Sequence, residues 1–142
     1  MPPRWSINRV WSRWLTALVN AVNSTAQGVN RTALTAQGAA TPTTTAFTSA
    51  SDAFYRLSYS LRITRPATVS SSATPTFSWT DGGVVQTQSG AALTGNTTTS
   101  QQSGQLLFGA DAGTAITYAV AYASSGATSM QYGFRLSVEQ MP

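Results

Sequence analysis

The chain has 142 residues, enough to bury the core of one domain, and it contains neither cysteine nor histidine. This composition excludes disulfides, thiolate metal sites and the commonest general base of enzymes. All eight positive charges are arginines, only four acids balance them, and the whole net charge of +4 arises within residues 1–51. Such asymmetry favours contact with an acidic partner, whether nucleic acid, an anionic membrane or an acidic protein surface.

Residues 4–23 are predicted to form a basic amphipathic helix, preceded by two prolines and followed by a glycine. Arg9 and Arg13 lie on its polar face, and Arg4 lies at its start. These three arginines are the predicted electrostatic anchor. The opposite face is the predicted partner-binding stripe, whose residues are Ile7, Trp11, Trp14, Leu18 and Val22.

The stripe of this helix must be buried, because an isolated helix of that length is marginally stable. Part of the stripe follows the a/d spacing of a coiled coil over about two heptads. Docking on a partner protein, association with copies of itself, packing on its own β-domain and binding to a membrane surface all fit this geometry. Nucleic-acid binding is not expected, because Trp11 and Trp14 lie opposite Arg9 and Arg13.

Strands are predicted from residue 30 onward. The threonine-rich segments NRTALTAQ and TPTTTAFT favour short strands. The segment AFYRLSYSLRIT then alternates apolar and polar residues with period two over twelve residues. TFSWT, ITYAVAY and MQYGFRLSV show the same alternation, QLLFG and GVVQTQ show it more weakly, and TDGGV predicts a hairpin with an Asp-Gly turn.

About eight strands, each with one apolar face, predict a mainly β domain over residues 30–142. The expected architecture is an antiparallel β-sandwich closed as a jelly roll, with the amphipathic helix in a separate segment, residues 1–29. Tyrosine pairs on the strands are assigned to the core. Phe54 and Phe108 are predicted to be surface residues, because each breaks the alternation of its strand.

The four acids are Asp52, Asp81, Asp111 and Glu139. Asp81 and Asp111 are interpreted as turn residues that cap their own backbone, rather than as a glycosidase pair or calcium ligands. We therefore expect no enzymatic activity, no catalytic residues, no metal site and no cofactor.

Three stretches, FYRLSYSLRITRPATVSSSATPTFSWTDGG, QSGAALTGNTTTSQQSG and AITYAVAYASSGATSMQYGFRLSVE, carry a resemblance to a known group. From about residue 34 to 139 the chain resembles a β-rich module of tailed-bacteriophage and prophage structural proteins: head fibres, decoration proteins and tail appendages. The resemblance implies a non-enzymatic, homo-oligomeric, jelly-roll-like module.

The sequence therefore predicts a structural protein on the virion surface, trimeric and held by its N-terminal helix to other virion proteins. A capsid decoration or head-fibre protein is the first expectation, and a tail or baseplate appendage is the alternative. A third possibility is an adhesin that reads a host-surface glycan through residues 94–99 and 124–128.

Overall fold

The computed structural model describes residues 30–142, which form an antiparallel β-sandwich. The predicted helix over residues 4–23 lies outside the described residues. The described strands are β1 (Asn30–Gln37), β2 (Thr41–Thr48), β3 (Ala53–Arg65), β4 (Ser70–Asp81), β5 (Val84–Ser89), β6 (Leu93–Thr94), β7 (Gln101–Ala110), β8 (Ala115–Ser125) and β9 (Gln131–Gln140). The two threonine-rich segments are strands, as predicted, and the short β6 is an addition to the predicted set.

The strands form two sheets that face each other. The first sheet has the order β1-β9-β3-β7, and the second has the order β2-β8-β4-β5, with β6 also paired to β4. Every pairing is antiparallel. β1 to β4 alternate between the two sheets, and so do β7 to β9. Neighbours within a sheet are therefore mostly distant in sequence.

The core lies between the sheets and follows the predicted alternation. Along β3, Tyr55, Leu57, Tyr59 and Leu61 are buried, while the residues between them face outward. Burying large apolar side chains is the main favourable contribution to folding. The inward faces of β4, β7, β8 and β9 supply most of the rest, including Phe77, Trp79, Phe108, Ile116, Tyr118, Val120, Tyr132, Phe134, Leu136 and Val138.

The sandwich has two distinct ends. At one end β1 begins and β9 finishes, with Asn30 opposite Val138, and the connections at residues 49–52, 82–83 and 111–114 lie there too. We call this the terminal end. We call the opposite end the far end. It holds the connections at residues 38–40, 66–69 and 126–130, together with residues 90–100, which include the short β6. The chain thus enters and leaves the sandwich at the same end.

The predicted hairpin between β4 and β5 is present, but its turn residues are Gly82 and Gly83 rather than Asp81 and Gly82. Asp81 is the last residue of β4 and pairs with Val84. Both glycines have positive φ, +59° and +76°, which two-residue hairpin turns of type I′ require. Glycine adopts this conformation without a Cβ clash, so the Gly-Gly pair determines the turn.

The four edge strands differ in how they discourage pairing with another chain. β1 has a bulge between Leu34 and Gln37, and β2 contains Pro42 and two register shifts. β7 lacks charge, proline and register shifts, but it contains two glycines, which weaken a strand. β5 has no charge, proline, glycine or register shift, and all six of its residues are exposed. Its free edge is therefore a template for a further strand.

Candidate functional site

The residues predicted to bind a partner all lie outside the described residues. These are the stripe Ile7, Trp11, Trp14, Leu18 and Val22 and the anchor Arg4, Arg9 and Arg13. Both remain predictions. In residues 30–142 no helix has the length and apolar character needed to cross a membrane.

The carboxylate of Asp111 holds the β4–β5 turn in place. Its Oδ1 accepts a hydrogen bond from the Gly82 N–H at 2.9 Å, and its Oδ2 accepts one from the Gly83 N–H at 2.7 Å. The prediction that Asp111 caps its own turn with its side chain was therefore wrong. The two successive N–H groups of Gly82 and Gly83 form a small concavity that suits an anion. The anion is the carboxylate of Asp111, which belongs to the distant connection between β7 and β8.

Asp52 and Asp81 are two further acids of the terminal end. Asp52 Oδ1 accepts a hydrogen bond from the Ala112 N–H at 2.7 Å, which ties together two connections. The Asp81 carboxylate lies against Gly109, where a Cβ would be 3.2 Å from its Oδ1. Within the described chain no group of three or more potential ligand residues has metal-binding geometry. Asp52 and Asp111 thus act as structural acceptors of backbone N–H groups.

Glu139 forms an ion pair with Arg56 on the outer face of the first sheet. Arg56 Nε donates to Glu139 Oε1 at 2.7 Å. This hydrogen bond, with the attraction of Arg56 and Arg31, lowers the pKa of Glu139 below its ordinary value of 4.5 and outweighs the opposing effect of burial. The two side chains are 41% and 28% exposed, so solvent screens much of their attraction.

Replacing Glu139 with glutamine is expected to make stability slightly less dependent on acid pH. Because the folded pKa of Glu139 is lowered, the pair stabilises the protein above about pH 4.5, and that contribution is lost as the pH falls through the folded pKa. Urea midpoints of the wild type and Glu139→Gln should differ at neutral pH and converge in acid. A difference that persists unchanged at pH 2 would contradict this assignment.

The loops predicted to read glycans are tied to the fold by their own side chains. Asn96 Oδ1 accepts a hydrogen bond from the Ala67 N–H at 2.6 Å, and Asn96 Nδ2 donates to the Val69 carbonyl at 3.5 Å. Thr68 Oγ1 accepts a hydrogen bond from the Thr128 N–H at 2.8 Å. Residues 94–99 and 124–128 therefore lie at the far end together, with Asn96 engaged internally.

The two predicted surface phenylalanines behave differently. Phe54 is 70% exposed on the outer face of β3, as predicted. Phe108 is only 6% exposed, so its prediction as a surface residue was wrong. On β7 the side chains that face the core are Leu106, Phe108 and Ala110, and Leu107 is the exposed one. The ring centroid of Phe108 lies 4.3 Å from that of Trp79.

Three arginines form a diagonal row across the outer face of the first sheet. Arg31 on β1 lies opposite Ser137 of β9, two residues from Arg135. Arg135 lies opposite Ser60 of β3, two residues from Arg62. Diagonal neighbours on a sheet are about 7–8 Å apart. We call Arg31, Arg135 and Arg62 the arginine row.

The arginine row lies along two adjoining cavities. The larger, about 510 Å³, is lined by Arg31, Arg135 and neighbouring residues of β1, β3 and β9. The smaller, about 280 Å³, is lined by Arg135, Arg62 and Thr64, among others. Ser60 and Arg135 line both. We call the two cavities together the groove.

The charge of this face is strongly one-sided. The outer face of the first sheet carries the arginine row and Arg56, with Glu139 as its one acid. Within residues 30–142 the arginine row forms no ion pair, and its guanidinium groups donate no hydrogen bond. In contrast, Asp81 is the one charged residue of the strands in the second sheet. Sequence reasoning did not identify the row, because it depends on the pairing of β1 and β3 with β9.

The chain matches no protein-family model, and it matches no curated protein. The functional interpretation therefore rests on the composition, the resemblance of its β-region and the geometry of the sandwich.

Proposed function

We propose that this protein is a non-enzymatic structural component of a tailed-bacteriophage virion, displayed on the particle surface. Residues 30–142 form the displayed sandwich, and residues 1–29 attach it to other virion proteins through an amphipathic helix. A capsid decoration or head-fibre protein is our first assignment, and a tail or baseplate appendage is the alternative. The observation that carries the proposal is the order of the strands.

The strand order supports assignment of the sandwich as a jelly roll. With β6 set aside as a short addition, eight strands remain in two sheets of four, β1-β9-β3-β7 and β2-β8-β4-β5. Strands that follow one another in the chain lie mostly in opposite sheets, as successive strands of a jelly roll do. This architecture recurs in viral capsid proteins and in lectins, and it agrees with the fold that the resemblance implies.

The position of Asn30 supports attachment through the preceding segment. Asn30 begins β1 at the terminal end, where Asn30 Nδ2 donates a hydrogen bond to the Ala46 carbonyl at 2.6 Å. Residues 94–99 and 124–128 lie at the opposite, far end. A sandwich attached through Asn30 therefore presents its far end away from the attachment point.

The unprotected edge of β5 supports association with another chain. Its six exposed residues leave a row of backbone N–H and C=O groups without the charges, prolines or bulges that usually discourage pairing. Val84 and Val85 add two exposed apolar side chains to this edge. We propose a homotrimer in the assembled particle, with β5 as one of the contacting elements.

A chain that lacks residues 1–23 is expected to stay folded but to lose attachment. The core of the sandwich is made by residues 46–138, so removal of the helix leaves its packing intact. Circular dichroism should keep its β-rich signature, and co-sedimentation with particles assembled without this protein should fall to background. Cryo-EM of particles decorated with the full chain would show whether the site is capsid or tail.

Two variants of the full chain separate the two faces of the predicted helix. Trp11→Ala with Trp14→Ala should abolish co-sedimentation with particles, because these side chains carry the stripe. Arg9→Gln with Arg13→Gln should weaken it in a salt-dependent way, because exposed charge pairs are screened. If the truncated chain decorates particles as well as the full chain does, the anchoring role is wrong.

A further inference from the structure

We propose that the groove on the first sheet binds a carboxylate-bearing polysaccharide, with the arginine row contacting successive carboxylates. The inference goes beyond the proposed structural role and stands on observations independent of it. The residues that carry it are Arg31, Arg135 and Arg62, together with the hydroxyl groups between them.

The charge of the groove is the first reason for an anionic ligand. Three guanidinium groups lie along one shallow depression with no ion pair inside residues 30–142. Like charges at this spacing repel one another, and an anionic ligand would remove that cost. Glu139, the nearest acid of this face, is already bonded to Arg56. Guanidinium groups bind planar carboxylates through two parallel hydrogen bonds, which favours this anion.

The lining of the groove is the second reason, because it suits a sugar chain. The residues that line the groove beside the arginines include six with aliphatic hydroxyl groups: Thr32, Thr35, Ser58, Ser60, Thr64 and Ser137. Hydroxyl groups both donate and accept hydrogen bonds, as the hydroxyls of a polysaccharide do. The hydroxyl of Thr64, which lines the smaller cavity, is buried and has no hydrogen-bond partner within residues 30–142. A buried polar group without a protein partner is rare, and ordered water or another polar group usually bonds to it.

Local backbone geometry is the third reason. Ala36 lines the smaller cavity with φ at +53°, a left-handed conformation that residues other than glycine seldom adopt. The bulge at Leu34/Gln37 borders this cavity on one side, and a second register shift at Ile63/Arg65 borders it on the other. Such bulges and strained residues concentrate at binding sites, where they redirect side chains.

The groove fits a polysaccharide better than an acidic protein segment or a nucleic acid. Protein interfaces depend on buried aromatic or large apolar anchors. The large apolar residues that line the groove are Tyr59 and Leu136, which are buried, and Leu34, which is partly buried against the core. The exposed Phe54 and Leu107 lie nearer the terminal end and outside the groove. Single-stranded nucleic acid requires exposed aromatic rings for base stacking, and the described lining offers none.

Binding to polygalacturonate, a polymer of uronic acid, tests the proposal with the full chain. Isothermal titration calorimetry should show saturable binding to polygalacturonate oligomers, weakened by salt, and no binding to dextran oligomers of equal length. Arg135→Gln removes the central charge of the row and should weaken binding by about tenfold or more, the loss expected for one charged hydrogen bond. Ser60→Gln places a longer side chain in the lining of both cavities without a change of charge and should also weaken binding.

Arg65→Gln is the matched control. Arg65 is exposed on the same strand as Arg62 but lines neither cavity, and its Nε donates to the Ser129 carbonyl. This variant loses the same charge and should bind polygalacturonate within about twofold of the wild type. Circular dichroism of each variant verifies the fold, and Ser60→Gln tests the site even if Arg135→Gln fails to fold.

Three outcomes would overturn the proposal. The first is an absence of binding to polygalacturonate. The second is an equal loss of binding in Arg65→Gln and Arg135→Gln, which would indicate a general charge effect. The third is tighter binding of poly-glutamate or single-stranded DNA with the same dependence on Arg135 and Ser60, which would identify another class of partner. None of these results bears on particle attachment through residues 1–23, so this proposal and the structural role fail separately.

Discussion

Phe108→Ala is expected to destabilise the sandwich by about 3–5 kcal/mol, the usual cost of removing a buried aromatic side chain. Phe108 fills the core at the terminal end, where its ring lies 4.3 Å from that of Trp79 and 6.3 Å from that of Tyr55. Truncation would leave a cavity between the two sheets and remove both aromatic contacts. Urea denaturation, followed by tryptophan fluorescence, should show a large decrease in the midpoint.

Phe54→Ala is the matched control for this prediction. The residue type and the substitution are the same, and Phe54 lies on the neighbouring strand opposite Gly109. Because Phe54 is 70% exposed, its truncation should change the free energy of unfolding by less than about 0.5 kcal/mol. Equal losses for the two variants would mean that the assignment of inward and outward faces on β7 is wrong.

Asp111→Ala is expected to cost about 1–2 kcal/mol, similar to the loss of a side-chain cap at a helix end. The carboxylate accepts hydrogen bonds from two successive backbone N–H groups, those of Gly82 and Gly83, and so fastens the β4–β5 turn to another connection. Water can replace part of this interaction, because both bonds are exposed. Hydrogen exchange of the Gly82 and Gly83 amides should become faster in the variant.

Asp81→Asn provides the comparison for Asp111. Asp81 lies two residues from Gly83 in sequence, but its side chain makes no hydrogen bond within the described residues. Its neutralisation should change stability by less than about 0.5 kcal/mol. Loss of a hydrolytic activity in the double variant Asp81→Asn and Asp111→Asn would contradict the proposal that this protein has no enzymatic role.

The strands and the core could be predicted from local patterns. Alternation over residues 53–64 fixed which side chains of β3 are buried, because a strand has a period of two and its apolar face must be covered. The same reasoning failed on β7. There Leu106 and Leu107 are adjacent and equally apolar, so the sequence does not show which of the two faces the core. In the structure Phe108 packs against Trp79 in the core, and Leu106 therefore faces inward and Leu107 outward.

The β4–β5 turn and its hydrogen bonds to Asp111 show a second limit of prediction from the sequence. The residues Asp81, Gly82 and Gly83 predicted a hairpin correctly. From the sequence alone, however, either the Asp81-Gly82 pair or the Gly82-Gly83 pair could have formed its two-residue turn. The partner of the turn, Asp111, lies in a connection between β7 and β8. Nothing local to either segment indicates this contact, because it depends on how the two sheets are stacked.

The groove shows a third limit of prediction from the sequence. Arg31, Arg62 and Arg135 each look like an ordinary outward-facing residue of its own strand. They become neighbours only because β9, the last strand, pairs with β1 on one side and with β3 on the other. Long-range pairing of this kind is set by the global topology, so no window of the sequence contains the signal.

The meeting of Asn30 and Val138 at one end of the sandwich has a consequence for the segment that leads into it. Both backbone junctions lie side by side, and β1, the first strand, is an edge strand that pairs only with β9. A different leading segment joined at Asn30 would therefore contact one corner of the sandwich and leave every other strand in place.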